Sequence, residues 1–221
     1  MNNSARIYTL DTQSLDCPDP MRRIPQQERS RRMVAAIVEA GLKILCENGR
    51  EGLSTTSLEL VSGVPKSTIY EYFPNLDAVV AEVFHFVIRH YHENGYSLYP
   101  LQEPPMLHEF MASIVDWVLI KHKTLLTLDR GFYLRYSRFF DFWMEFDKNF
   151  LGKDSVEDFL TRQLCYCRDF ISGQNDRVLA QATAHSLSLT TYVMIQETPR
   201  LIDDSEFRKM LVRMCIGICA K

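Results

Sequence analysis

The sequence lacks a long apolar run: nothing in it approaches the roughly 18 consecutive apolar residues that a membrane-spanning helix needs. The most apolar stretch, residues 113–120, is broken by Asp116, which excludes a membrane protein. The first twenty residues carry Arg6 but also Asp11, Asp16 and Asp19 and have no apolar segment of the secretory kind, so the chain is expected to stay in the cytoplasm. Glycine and proline number only nine each, and 46% of the 221 residues are apolar, which excludes a fibrous, collagen-like or globally disordered chain. The six cysteines, at positions 17, 46, 165, 167, 215 and 219, form no CxxC pair. That argues against a zinc ribbon and, without a secretory signal, against a disulfide scaffold; reduced thiols are expected. Cys215 and Cys219 stand four apart, where one helix face would carry both as half of a metal or redox site with no matching half elsewhere.

Catalytic signatures are missing as well. There is no GxSxG, no HExxH, no P-loop and no glycine-rich dinucleotide turn. His85 and His90 are five apart and His90 and His92 two apart, so neither pair shares a helix face as metal ligands would. The expectation is no enzyme, no cofactor and no metal. No segment alternates with period two, and there is neither an internal repeat nor a low-complexity tract, so the chain reads as all-α.

Charge is unevenly spread. The formal net charge is −3, yet residues 22–50 hold Arg22, Arg23, Arg29, Arg31, Arg32, Lys43 and Arg50 against only Glu28, Glu39 and Glu47, a local +4. Residues 77–221 carry 16 basic and 19 acidic side chains. A basic end on an acidic bulk points to a polyanion met by the first part alone.

Periodicity divides the chain into a flexible arm (1–24), a small helical domain (25–75) and a larger helical domain (76–221). The spacing of Val34, Ile37, Val38, Gly41, Leu42 and Leu45 predicts a helix over 26–48, stopped by Gly49. Ser54 suits the N-cap of a short helix with Leu58, Val61 and Ser62 on one face. Gly63 supplies a tight turn, and a very short helix over 66–73 ends at Pro74. Asn75 then caps a long helix over 76–93. Short helix, glycine turn, short helix is the helix-turn-helix arrangement. Further helices are expected over 106–122, 123–146 with a break near Gly131, 155–172, 175–197 and 203–220.

The stretches VAAIVEAGLKILCENG, LSTTSLELVSGVPKSTIYEYF and PNLDAVVAEVF resemble the DNA-binding head of TetR-type transcriptional regulators. The resemblance covers about a quarter of the chain. It implies a three-helix DNA-binding domain joined to a helical ligand-binding and dimerisation domain. By position, Lys66 and Thr68 are assigned to the major groove or its rim, with Ser67 beside them in the first turn, where helix N–H groups also favour phosphate. Tyr70 and Tyr72 are expected to donate hydroxyls to the DNA backbone, a packed aromatic with a wet tip being the other reading of Tyr70. Ser54 and Thr55 are further phosphate candidates, Ser54 being at the same time a cap. Arg29, Arg31 and Arg32 are expected at the adjacent backbone or minor groove, and Glu71 either accepts from cytosine N4 or lies on the solvated edge. Ile69 and Phe73 are assigned to the core. Three positions depart from the family pattern: Pro65 replaces a common Ser, Leu76 stands where a Lys often begins the next helix, and Glu59 occupies the place of a small buried Ala.

In the larger domain, residues 132–146 read FYLRYSRFFDFWMEF, too aromatic for one narrow helix face. Tyr133, Tyr136, Phe139, Phe140 and Trp143, with Trp117, are expected to line an apolar cavity for a small effector; a dense core is the other use of the same residues. The last two helices resemble the family's dimerising pair, through Val178, Leu179, Ala182, Leu187, Thr190, Tyr192 and Val193 on one and Phe207, Leu211, Met214, Cys215 and Ile218 on the other, with a monomeric core as the alternative. The implied function is a ligand-responsive repressor bound as a homodimer to a palindromic operator in double-stranded DNA. The alternative is a ligand-binding or scaffold protein whose head no longer binds DNA.

Overall fold

The structure, a computed structural model, describes residues 17–95, 104–138, 156–170, 173 and 175–219. Among them are nine α-helices and no strand: α1 (Glu28–Gly52), α2 (Thr55–Ser62), α3 (Lys66–Tyr72), α4 (Leu76–Gly95), α5 (Leu107–Leu128), α6 (Arg130–Arg138), α7 (Val156–Tyr166), α8 (Asp176–Glu197) and α9 (Ser205–Cys219), with a 3₁₀ turn over Pro199–Asp203.

Local chemistry accounts for most of the boundaries. In α1 the predicted Val34, Ile37, Val38, Gly41 and Leu45 are buried, joined by Ile44, while Leu42 is half-buried. Gly49 adopts φ +66° and breaks the helix where expected, but one further turn follows it to Gly52. Ser54 caps α2: its Oγ accepts from Ser57 N–H at 3.0 Å, and Ser57 Oγ accepts from Ser54 N–H at 2.9 Å. Such a reciprocal cap contributes about 1 kcal/mol. Of the residues expected on one face of α2, Leu58 is buried, Ser62 is half-buried and Val61 is exposed. Gly63 ends α2 in the left-handed region at φ +70°. Asn75 caps α4 through Ala78 N–H at 2.8 Å. The break expected near Gly131 falls at Asp129, whose carboxylate accepts from Phe132 N–H at 2.9 Å and so starts α6.

Two apolar cores result. The first joins α1 to α4 with Leu125 and Leu128 of α5, Phe132, Tyr133 and Tyr136 of α6 and Ile195 of α8. Gly41 lets α1 and α4 approach closely, because a Cβ there would meet Val83 Cγ2 at 3.1 Å and Val79 Cγ1 at 3.2 Å. Phe84 and Phe132 meet edge-on at 4.9 Å and tie α4 to α6. The second core joins α5 to α7, α8 and α9. A buried polar layer lies between them along two helices: Lys121 and His122 on α5, Ser188 and Thr191 on α8. Asp116, which interrupts the apolar run of α5, forms a two-pronged ion pair with Arg208 of α9, at 2.5 and 2.7 Å.

The arm expected to be flexible is docked over its described part. Pro18 is buried, Met21 packs against the first core, Arg22 N–H donates to Tyr72 O at 2.8 Å, and Asn75 Nδ2 donates to Asp19 Oδ2 at 2.6 Å. Proline and aspartate suggest a loose segment to local reasoning; a main-chain bond to Tyr72 and a side-chain bond to Asn75, fifty or more positions away, hold it down. Residues 1–16 lie outside the described part.

Candidate nucleic-acid interface

The glycine turn and Pro65 set α3 across the end of α2 with one face inward. Ile69, Tyr72 and Phe73 are buried at its back, while Ser67, Tyr70 and Glu71 are exposed at its front and Lys66 and Thr68 are half-buried beside them. Pro65 is the N-cap residue and contributes no side-chain hydrogen bond. The cap comes from Glu59: its Oε1 accepts from Lys66 N–H at 3.1 Å, and its Oε2 lies 3.9 Å from Lys66 Nζ. Two departures from the family pattern thus compensate each other. The consequence corrects one expectation, since the Lys66 N–H is occupied by a carboxylate of the same chain and is not a donor for phosphate.

Tyr72 is also corrected. It is 2% exposed and forms part of the first core, with the Arg23 guanidinium 5.6 Å above its ring. Successive turns of a seven-residue helix put residues three and four apart on one face, so Ile69 carries Tyr72 and Phe73 inward with it. Tyr70, 47% exposed, keeps its hydroxyl available. Ser54 is exposed and Thr55 half-buried at the start of α2. Arg29, Arg31 and Arg32 are exposed on the first turns of α1, with Arg32 Nε 3.1 Å from Glu28 Oε1 in a solvated pair. The structure therefore brings Ser67, Thr68, Tyr70, Glu71 and Lys66 to one surface.

Comparison with solved structures fits this geometry. A TetR transcriptional regulator from Rhodococcus sp. RHA1 superposes with a TM-score of 0.52 at 13% identity, over 88% of this chain and 99% of that one. The chain has the TetR fold. A TetR-family regulator from Streptomyces coelicolor aligns at 15% identity and TM-score 0.47, over 84% of this chain and 96% of that one. No family model matches the sequence, and no curated protein matches it.

Within the TetR fold, the larger domain places the expected effector residues unevenly. Tyr133 and Tyr136 are buried in the first core, whereas Trp117 packs against the second and donates its indole N–H to Tyr91 O at 3.2 Å. Tyr133 hydroxyl and His122 Nδ1 are 2.5 Å apart in the buried polar layer. Burial, with the neighbouring Lys121 charge second, holds the His122 imidazole well below its ordinary pKa of 6.5 and therefore neutral. Phe139, Phe140 and Trp143 lie outside the described residues.

The residues expected to form a dimerising pair are unevenly placed. Leu187, Phe207, Leu211 and Cys215 are buried within their own subunit, as are the small Ala180 and Ala184, so they are not surface for a partner; α5 and α7 cover that face. Val178, Leu189, Val193 and Met210 are the exposed apolar residues of α8 and α9. Burial pushes the thiols of Cys167 and Cys215 up to about 12 and raises that of Cys219, whose Sγ lies 3.3 Å from Thr183 Oγ1. These are inert protonated thiols, and no group of three metal-binding side chains occurs among the described residues.

Local sequence reasoning missed two charged residues. Glu59 was legible as an anomaly but not as a cap. Arg50, in the last turn of α1, bridges Asp77 and Asp129 through contacts that no sequence pattern announces.

Proposed function

We propose that this chain is a transcription regulator: a homodimeric repressor that grips a palindromic operator through α3 and is released by a small apolar or aromatic effector. One observation carries the reading. A short helix, set by a left-handed glycine turn and locked from behind by Ile69 and Phe73, presents Ser67, Tyr70 and Glu71 to solvent with Lys66 and Thr68 alongside. Lys66 and Thr68 read or flank the major groove. Ser54, Thr55 and Tyr70 reach phosphates, and Arg29, Arg31 and Arg32 add charge at the adjacent backbone. Two heads roughly 34 Å or more apart require a two-fold partner, and the exposed Val178, Leu189, Val193 and Met210 supply a self-complementary apolar face. The effector enters the larger domain near Tyr133 and Tyr136 and shifts the population towards a head spacing that no longer fits successive grooves.

A second reading has its own support: the Glu59 carboxylate at the start of α3 opposes a polyanion, as in a ligand-binding or scaffold protein whose head does not bind DNA. Binding to random duplex DNA across a salt series decides between them. A regulator shows log affinity falling steeply with log salt, weakened by Lys66→Ala; flat, weak binding at every salt concentration leaves the second reading.

A further inference from the structure

The docked segment at residues 17–24 gives the head two cations that the helix-turn-helix does not contain. Its anchoring is fourfold: buried Pro18, Met21 against the first core, Asp19 bonded to Asn75, and the main-chain bond from Arg22 N–H to Tyr72 O at 2.8 Å. These contacts fasten it to the last residue of α3 and the capping residue of α4, beside the exposed Tyr70 and Glu71. Arg22 and Arg23 are both exposed, and neither is ion-paired among the described residues. Of the acidic groups nearby, Asp77 is paired with Arg50 at 2.5 Å, while Asp19, which accepts from the neutral Asn75 amide, and Glu71 are exposed carboxylates.

We infer that Arg22 and Arg23 form a phosphate-binding clamp for the DNA backbone, held by the docked strap at the exit of α3. Its physical basis is preorganisation. A guanidinium on a free arm loses chain entropy when it meets a phosphate; here the main chain of the strap is already ordered by its own contacts, so less chain ordering opposes the contact. Arg22 projects from a main chain pinned to Tyr72, and Arg23, itself exposed, has its guanidinium carbon 5.6 Å from the centre of the Tyr72 ring. The corner is also where Leu76 leaves the start of α4 without a cation. The occupant is the sugar–phosphate backbone of duplex DNA, so the clamp adds affinity and salt dependence without sequence preference.

The inference rests on the proposed DNA-binding function, and the test separates the two. The full chain is titrated with a random duplex of about 30 base pairs across roughly 50 to 250 mM salt, where each phosphate contact adds about 0.9 to the log–log slope. The double variant R22A/R23A is expected to lose about one to two units of slope and roughly tenfold in affinity at the lowest salt, R22K/R23K to restore the slope, and Arg200→Ala, on the far 3₁₀ turn, to match the wild type. Arg22→Ala alone keeps the main-chain donor to Tyr72 and still loses about one unit, which covers the case in which the double variant unfolds. A steep wild-type slope that R22A and R22A/R23A leave unchanged would overturn the clamp while the regulator reading stands. A flat wild-type slope would overturn both.

Discussion

Arg50 Nε lies 3.6 Å from Asp129 Oδ2 while its Nη2 donates to Asp77 Oδ1 at 2.5 Å. One guanidinium at the end of α1 therefore spans the first turn of α4 and the junction of α5 with α6, and Asp129 uses its other oxygen to start α6. One turn into α6, the Tyr133 hydroxyl lies 2.5 Å from Nδ1 of the buried His122. Arg50 is about a third exposed, so solvent screens part of the attraction, whereas the Asp129 side chain is nearly buried. Replacing Arg50 with Ala is expected to lower unfolding stability by about 1–2 kcal/mol, mostly from leaving Asp129 without its cation. A double-mutant cycle of R50A with D129N should recover about 0.5 kcal/mol or more of coupling by chemical denaturation; additive losses would show that the two groups do not interact.

Glu59 has two separable roles. E59A removes the cap of α3 and should cost about 1 kcal/mol of stability. E59Q keeps an acceptor for the Lys66 N–H but removes the negative charge, so stability should hold closer to wild type while affinity for random duplex DNA rises severalfold. Weaker binding by E59Q would mean that the carboxylate works with the interface, not against it.

Close packing of α1 on α4 depends on Gly41. G41A drives a methyl into Val83 and Val79, both buried in the first core, and should cost about 1–3 kcal/mol. Making room with V83A should return part of that loss. G63A has no steric neighbour within 4 Å and costs stability by a different route, about 1–2 kcal/mol for a side chain forced into the left-handed region; no space-making partner should rescue it.

His122 makes stability fall in mild acid. Its folded-state pKa lies below the unfolded value of 6.5, so below that pH the unfolded chain binds a proton that the folded chain refuses. Stability attributable to this group is fully present above pH 6.5 and is lost as pH drops towards the folded-state pKa, at up to about 1.4 kcal/mol per pH unit. Denaturation at two pH values, one on each side of 6.5, compared with H122Q, checks it: the variant should show a shallower dependence over that interval, and an identical dependence would assign the effect to other groups.

The exposed apolar face of α8 and α9 has a direct readout. L189D/V193D places two carboxylates on that face without touching the buried stripe of Leu187 and Ile195. Sedimentation should show dimer giving way to monomer with helical content retained. Dimers that persist in the variant would place the two-fold contact elsewhere.

Much of what depends on near neighbours is legible along the chain. Gly63 needs the left-handed region, Ser54 and Asn75 each cap the helix that follows, and apolar residues at spacings of three and four line α1; each is settled within a few residues of sequence, so helix order and the glycine turn were visible before any coordinates. Side-chain fates that depend on a partner far along the chain were not. Tyr72 looked like a hydroxyl at the DNA surface, and Leu187, Phe207 and Leu211 looked like dimer surface, until neighbouring helices covered them. The docking of residues 17–24, the pairing of Asp116 with Arg208 and the span of Arg50 join positions dozens of residues apart, and local propensity carries no term for such pairs. Periodicity says that a face is apolar; what covers that face, and which charges meet across it, is set when the helices pack.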